Sequence, residues 1–144
     1  MKRVLVTGGG GFIGRHLVDR LLCNCRGIRV LDNFSSGRIK NIEHCEGSGN
    51  VEILRGDLKN PEEVKKSIRE VDVVFHYAAN PEVHFNENVV TTFNLLEAMR
   101  KNCAEELIFA SSSSVYGEPE RIPVSEDSPI RPVSVYGAAR IRRE

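Results

Sequence analysis

Residues 3 to 7, Arg-Val-Leu-Val-Thr, run without a break into Gly8-Gly9-Gly10-Gly11-Phe12-Ile13-Gly14, and a helical spacing of apolar residues starts inside that turn at Ile13 and continues through Leu17, Leu21 and Leu22. A strand that turns at once into an amphipathic helix must be crossed back over a sheet to a second strand parallel to the first. The chain repeats this pattern. Ile28 to Asp32, Val51 to Leu54, Val71 to His76 and Glu106 to Ala110 are short, mostly β-branched or apolar runs that read as further strands. Between them Val64 and Ile68, and then Val89, Phe93, Leu96 and Met99, recur at helical spacing. Asn60-Pro61-Glu62-Glu63 has the composition of a helix start, with a capping side chain, a proline suited to the first turn and acids that complement the helix dipole. The expectation is an α/β chain built on a doubly wound parallel sheet, as one domain over residues 1–144.

The glycines limit what such a turn is for. A phosphate reaches the backbone N–H groups of a helix N-terminus only where no Cβ stands in the way, and the last glycine lets helix and strand pack closely. Gly9-x-Gly11-x-x-Gly14 satisfies the dinucleotide fingerprint of a Rossmann-type sheet. On its own the pattern is also that of a glycine-rich turn without a ligand. Asp32, at the end of the second strand and about twenty residues on, is the carboxylate that such a site uses for the adenosine ribose hydroxyls. An acid there repels a 2'-phosphate, so NAD is expected over NADP. Gly56-Asp57-Leu58 and His76-Tyr77-Ala78-Ala79 close two more strands on the same side, with Asp57 able to accept from an adenine amino group and the small Ala78 and Ala79 letting the backbone approach the pyrophosphate.

Composition excludes several alternatives. Twenty Lys plus Arg against twenty Asp plus Glu leave no basic field for nucleic acid or an anionic membrane surface. No run approaches a membrane span and the N-terminus lacks a signal-peptide core, so a cytoplasmic protein is expected. The four cysteines, Cys23, Cys25, Cys45 and Cys103, show no paired metal spacing, and reduced thiols without a metal are expected.

Beyond the fifth strand lie Ser111-Ser112-Ser113-Ser114-Val115-Tyr116-Gly117 and, after a proline-rich stretch from Gly117 to Val135 that reads as a long loop, Tyr136-Gly137-Ala138-Ala139-Arg140. Tyr136 and Arg140 are one helical turn apart, so a hydroxyl, a phenol and a cation can converge. A phenol of ordinary pKa near 10 is a poor base at neutral pH, and a neighbouring cation favours its ionised form.

Together these motifs resemble the extended short-chain dehydrogenase/reductase family, and within it most closely the UDP-glucose 4-epimerase group. The resemblance rests on residues 7 to 14, Asp32-Asn33-Phe34-Ser35-Ser36-Gly37, Gly56-Asp57-Leu58, His76-Tyr77-Ala78-Ala79, Asn88-Val89, Asn94-Leu95-Leu96-Glu97-Ala98 and the serine run ending at Gly117. It implies that Gly8, Gly11, Phe12, Ile13 and Gly14 hold the pyrophosphate, Asp32, Asn33, Ser36 and Gly37 the adenosine side, and Asp57 with Leu58 the adenine. Tyr77, Ala78, Ala79 and Asn88 would line the path to the nicotinamide. Ser112 falls at the family's catalytic Ser/Thr, Tyr136 at its base and Arg140 at its lysine. The implied reaction is C4 epimerisation of a UDP-sugar, UDP-glucose or UDP-galactose, through a transient 4-keto sugar and a resident NAD. The related 4,6-dehydratases carry Thr-Asp-Glu where this chain has Ser112-Ser113-Ser114, so dehydration is not expected. Another nucleotide-sugar oxidoreduction, or a non-catalytic NAD-binding fragment, remains open.

Three departures bear on activity. Arg140 keeps the lysine's charge but not its compact ammonium, so weaker or absent catalysis is expected. The segment from Pro81 to Asn88 is shorter than the family usually has, through a deletion or through omitted residues. The chain ends inside the helix that carries Tyr136, so a sheet truncated before a C-terminal substrate domain is expected, and the resemblance implies a homodimer built from the helices around residues 89 to 101 and 135 to 144.

Overall fold

The computed structural model describes residues 2–79 and 85–141, with side chains for all of these except 85–87. Five parallel strands form one sheet: β1 (Arg3–Thr7), β2 (Gly27–Asp32), β3 (Val51–Arg55), β4 (Val73–His76) and β5 (Glu106–Phe109), in the order β3-β2-β1-β4-β5. The helices are α1 (Phe12–Leu21), α2 (Pro61–Ser67), α3 (Phe85–Asn102) and α4 (Val135–Arg140), with short 3-10 turns at Ile39–Asn41, Glu43–Ser48 and Ser113–Tyr116. This is the doubly wound sheet expected from the sequence, and its strands begin or end within two residues of the expected limits.

Alternation along each strand divides the core between the two faces. Leu5, Leu31 and Val74 pack with Val64, Ile68, Leu95 and Met99 beneath α2 and α3. Val4, Val6, Ile28, Val30 and Val73 pack with Val18, Ile42 and Cys45 beneath α1 and the 3-10 segment. Each such side chain taken out of water contributes roughly 1.5–3 kcal/mol before the entropic cost of ordering it. At the start of α2, Asn60 accepts a hydrogen bond from Glu62 N at 3.1 Å, with Pro61 in the first turn.

The spacing in α3 locates the helix but not its buried face. Val89, Phe93 and Leu96 are exposed, Phe93 by 65%, while Asn88, Leu95, Ala98 and Met99 turn inward. Both stripes satisfy a 3.6-residue period, and the inner one is partly polar because it faces the open end of the sheet as well as the core.

Leu5 has no exposed surface and sits at the centre of the sheet. Leu5→Ala is expected to lower unfolding free energy by about 2–5 kcal/mol in urea titrations, whereas Ile122→Ala, at a side chain 88% exposed, should change it by less than about 0.5 kcal/mol.

Candidate active site

From β1 the chain crosses to β2 over one face of the sheet, and from β4 it crosses to β5 over the other, so the helices part beyond the carboxyl ends of β1 and β4. Open α/β sheets bind ligands at such a switch point. A cleft of about 670 Å³ opens there, within the range of a small-molecule or cofactor site. The structure brings around it the glycine-turn residues Gly8, Gly11, Phe12, Ile13 and Gly14, the β2-end residues Asp32, Asn33, Ser36 and Gly37, and the β3-end residues Asp57 and Leu58. Tyr77, Ala78, Ala79 and Asn88 form the β4 side, and Tyr136 with Arg140 closes the far wall.

The turn is shaped for close backbone approach. A Cβ on Gly14 would lie 2.2 Å from the Gly8 carbonyl oxygen, so no other residue fits without moving the strand-to-helix junction. Gly8 N donates to Leu31 O at 3.0 Å and Gly11 N to Gly8 O at 3.1 Å. No side chain caps the N-terminus of α1, and Phe12, Ile13 and Gly14 border the cleft. The first-turn amides and the helix dipole therefore point toward the position an anion would take.

The Asp32 carboxylate, almost wholly buried, grips this turn: Oδ2 accepts from Gly10 N at 2.8 Å and Oδ1 from Phe34 N at 2.7 Å. Each oxygen keeps acceptor capacity for a ligand hydroxyl. Asn41 Nδ2 and Arg38 N both donate to Gly10 O, at 2.7 and 3.0 Å, and hold the turn from its other side. Asn33 Nδ2 donates to Asp57 Oδ2 at 3.3 Å, which ties the ends of β2 and β3 together.

Beneath the cleft lies His76, fully buried, its Nδ1 2.7 Å from Thr7 Oγ1 and its Nε2 3.3 Å from Thr92 Oγ1. Burial first, and the Arg140 charge second, lower its pKa from 6.5 to about 4, so the ring is neutral at pH 7. The sequence reading assigned His76 no role; a histidine closing an otherwise apolar strand was the available signal.

On the far wall, Ser134 caps α4 by accepting from Gly137 N at 3.0 Å. A Cβ on Gly137 would stand 2.5 Å from Ser114 O, so this glycine lets α4 dock on the serine turn and set Tyr136 in place. The Arg140 guanidinium lies 5.3 Å from the ring centroids of both Tyr136 and Phe109. Its Nη1 donates to Ala110 O at 3.4 Å, while its Nε, though buried, has no partner among the described residues. A buried donor left unsatisfied costs about 1–3 kcal/mol, and a ligand oxygen in the cleft would satisfy it. Ser112 stands apart from the expectation. Its Oγ accepts from Ser114 N at 3.2 Å and Ser114 Oγ at 2.9 Å, capping its own turn, and it is Ser111 that borders the cleft. The local reason is the 3-10 turn that begins at Ser113, which recruits the preceding serine as its cap. Of the short stretch between Pro81 and Asn88, residues 82–84 lie outside the described residues.

Away from the cleft, Asp19, His44 and Cys45 come together, although the sequence reading paired no histidine with a cysteine. His44 and Cys45 are adjacent in the sequence, and it is the distance of Asp19, on α1, from this pair that hid the cluster.

The chain is similar in sequence and fold to known proteins. The family model described as GDP-mannose 4,6 dehydratase matches residues 5–144. A putative UDP-glucose 4-epimerase of Methanocaldococcus jannaschii is 41% identical over 95% of this chain and 47% of its own length. A bifunctional UDP-glucose and UDP-xylose 4-epimerase of Pisum sativum is 36% identical over 97% of this chain and 45% of its own. The structure of Thermus thermophilus UDP-glucose 4-epimerase in complex with NAD superposes with a TM-score of 0.84 at 40% identity, over 96% of this chain and 47% of that one. The chain thus spans about half the length of the relatives it matches. Among the described residues no helix is long and apolar enough to cross a membrane.

Because folded His76 resists protonation down to about pH 4 while the unfolded ring titrates near 6.5, its contribution to stability is present above pH 6.5 and is lost as pH falls toward 4. The full loss amounts to about 3 kcal/mol. His76→Gln should flatten the fall in unfolding free energy across that window, and an unchanged slope would place the acid sensitivity elsewhere.

Proposed function

The chain belongs to the GDP-mannose 4,6-dehydratase-like family of extended short-chain dehydrogenase/reductases, and we propose that it is the NAD-binding portion of a nucleotide-sugar 4-epimerase acting on a UDP-sugar. The observation that carries this reading is the convergence on one cleft of an uncapped, glycine-walled helix N-terminus, the Asp32 carboxylate and the Tyr136–Arg140 pair.

NAD, when bound, supplies the hydride acceptor and then the hydride donor. The first-turn amides of α1 bind the pyrophosphate, and Asp32 accepts from the adenosine ribose hydroxyls. Asn33, Ser36 and Gly37 flank the adenosine, and Asp57 with Leu58 bounds the adenine. Tyr77, Ala78, Ala79 and Asn88 form the wall toward the nicotinamide. Tyr136 takes the proton of the sugar 4-hydroxyl as the C4–H bond breaks, and returns it after the keto sugar has presented its other face. Arg140 holds positive charge beside the Tyr136 ring, and its Nε is free, among the described residues, to meet a ligand oxygen. Ser112 donates a hydrogen bond to the reacting oxygen and relays its proton toward Tyr136, for which its side chain must turn from the cap it now makes.

The homodimer belongs to the same reading. Val89, Val90, Phe93 and Leu96 leave an apolar stripe exposed on α3, which packs beside α4 with its own exposed Val135. A second copy would cover it. Phe93→Asp should shift sedimentation to the monomer without loss of helicity.

A second reading has its own support. Arg140 is buried where a lysine's ammonium would leave more room, which favours a module that holds NAD without turning over substrate. Incubating the purified protein with UDP-galactose and resolving the products by chromatography separates the cases. UDP-glucose formed with no net reduction of NAD supports the epimerase, and Arg140→Lys should then raise the rate by about tenfold or more. Retained NAD without conversion supports the module, and a dehydrated or decarboxylated product would assign the chain elsewhere in the family.

A further inference from the structure

Asp19 lies in the second half of α1, and His44 and Cys45 lie at the start of the 3-10 turn Glu43–Ser48 that packs against it. Asp19 Oδ1 is 2.7 Å from His44 Nε2, Cys45 Sγ is 3.3 Å from the same nitrogen, and Cys45 Sγ is 3.7 Å from Asp19 Oδ1. Three donors of different chemistry thus form a triangle. Cys45 is its floor, 1% exposed and backed by Val18, Ile28, Val30 and Ile42, while Asp19 and His44 form a rim open to water. None of the three borders the cleft at the strand ends.

We propose that Asp19, His44 and Cys45 form a three-ligand site for a zinc-class divalent cation, with water as the fourth ligand. A tetrahedral ion bound through sulfur at about 2.3 Å and through nitrogen and oxygen at about 2.0–2.2 Å spaces its donors by about 3.3–3.6 Å. The observed triangle is close to this: the Asp19–His44 edge must open by about 0.6 Å as the ion replaces their hydrogen bond, and the Cys45–His44 edge by about 0.2 Å because sulfur's longer bond widens its edges. The donor set selects the ion's class. Magnesium and calcium take oxygen ligands, whereas one thiolate, one imidazole and one carboxylate suit zinc or cobalt. On binding, the thiol proton passes to solvent and the S–H bond is replaced by a sulfur–metal bond, while His44 enters neutral and Asp19 ionised.

The surroundings of Cys45 distinguish this site from a reactive thiol. Burial first, then the negative charge of Asp19 and the hydrogen bond to it, push the thiol pKa up, so without a cation the sulfur stays protonated and poorly nucleophilic. A dication between the groups reverses that balance.

Cobalt titration of the reduced protein, followed by visible and near-ultraviolet absorption, tests the site. The expected result is one equivalent bound with a thiolate-to-cobalt charge-transfer band and intense tetrahedral ligand-field bands, both displaced by zinc. Asp19→Asn and His44→Ala, at exposed positions that leave the core intact, should each weaken binding at least about tenfold. Cys45→Ser should abolish the charge-transfer band, while the joint Cys23→Ser and Cys103→Ser variant should leave it unchanged. Absence of the band at one equivalent, or octahedral cobalt spectra, would overturn the proposal. So would binding that follows Cys23 and Cys103 instead of Asp19 and His44; because those two variants do not disturb Cys45, the test stands even if Cys45→Ser fails to fold.

Discussion

The junction of β1, the glycine turn and β2 depends on one buried carboxylate. Asp32 closes β2 and accepts hydrogen bonds from the backbone of Gly10 and Phe34, so a single side chain fixes both the turn that enters α1 and the loop that leaves β2. Charge-assisted bonds to backbone N–H groups are stronger than neutral ones, and removing the carboxylate would leave two amides to find other partners. The same geometry leaves acceptor capacity facing the cleft. In the proposed function the residue that holds the scaffold would also read the ligand, which would couple the local stability of the turn to its chemistry.

The far wall is organised by a positive charge. Arg140 sits between the Phe109 and Tyr136 rings, and its field reaches His76, where it adds to burial in keeping the imidazole neutral. No carboxylate of the described residues pairs with Arg140, whose contacts are ring faces and a carbonyl oxygen. A buried cation held in this way favours negative charge in the cleft, and a dinucleotide pyrophosphate or an ionised phenol meets that condition.

Most of the fold and of the cleft was legible because glycine, proline and strand-end acids carry backbone information locally. The strand-to-helix turn at Gly8 to Gly14 shows in its own run of glycines, although Asp32, Arg38 and Asn41 hold it, and the Asn60 cap is made with the nearby Glu62. What could not be read depended on contacts between distant segments. The inner face of α3 is chosen by the sheet it packs on, and the spacing of Val89, Phe93 and Leu96 is equally regular on the outer face. Ser112 and Ser111 differ only in how the serine turn is capped, which a run of identical residues conceals. Gly137 matters because Ser114 O approaches it, and Cys45 meets Asp19 only because the 3-10 turn lies along α1.

Calorimetric titration of nucleotide-free protein with NAD and with NADP addresses the central claim most directly. The account predicts one NAD per chain, NADP weaker by at least about tenfold because a 2'-phosphate would face the Asp32 carboxylate, and a narrowed gap in Asp32→Asn. Equal affinity for the two dinucleotides, or NAD binding that Asp32→Asn leaves unchanged, would contradict it.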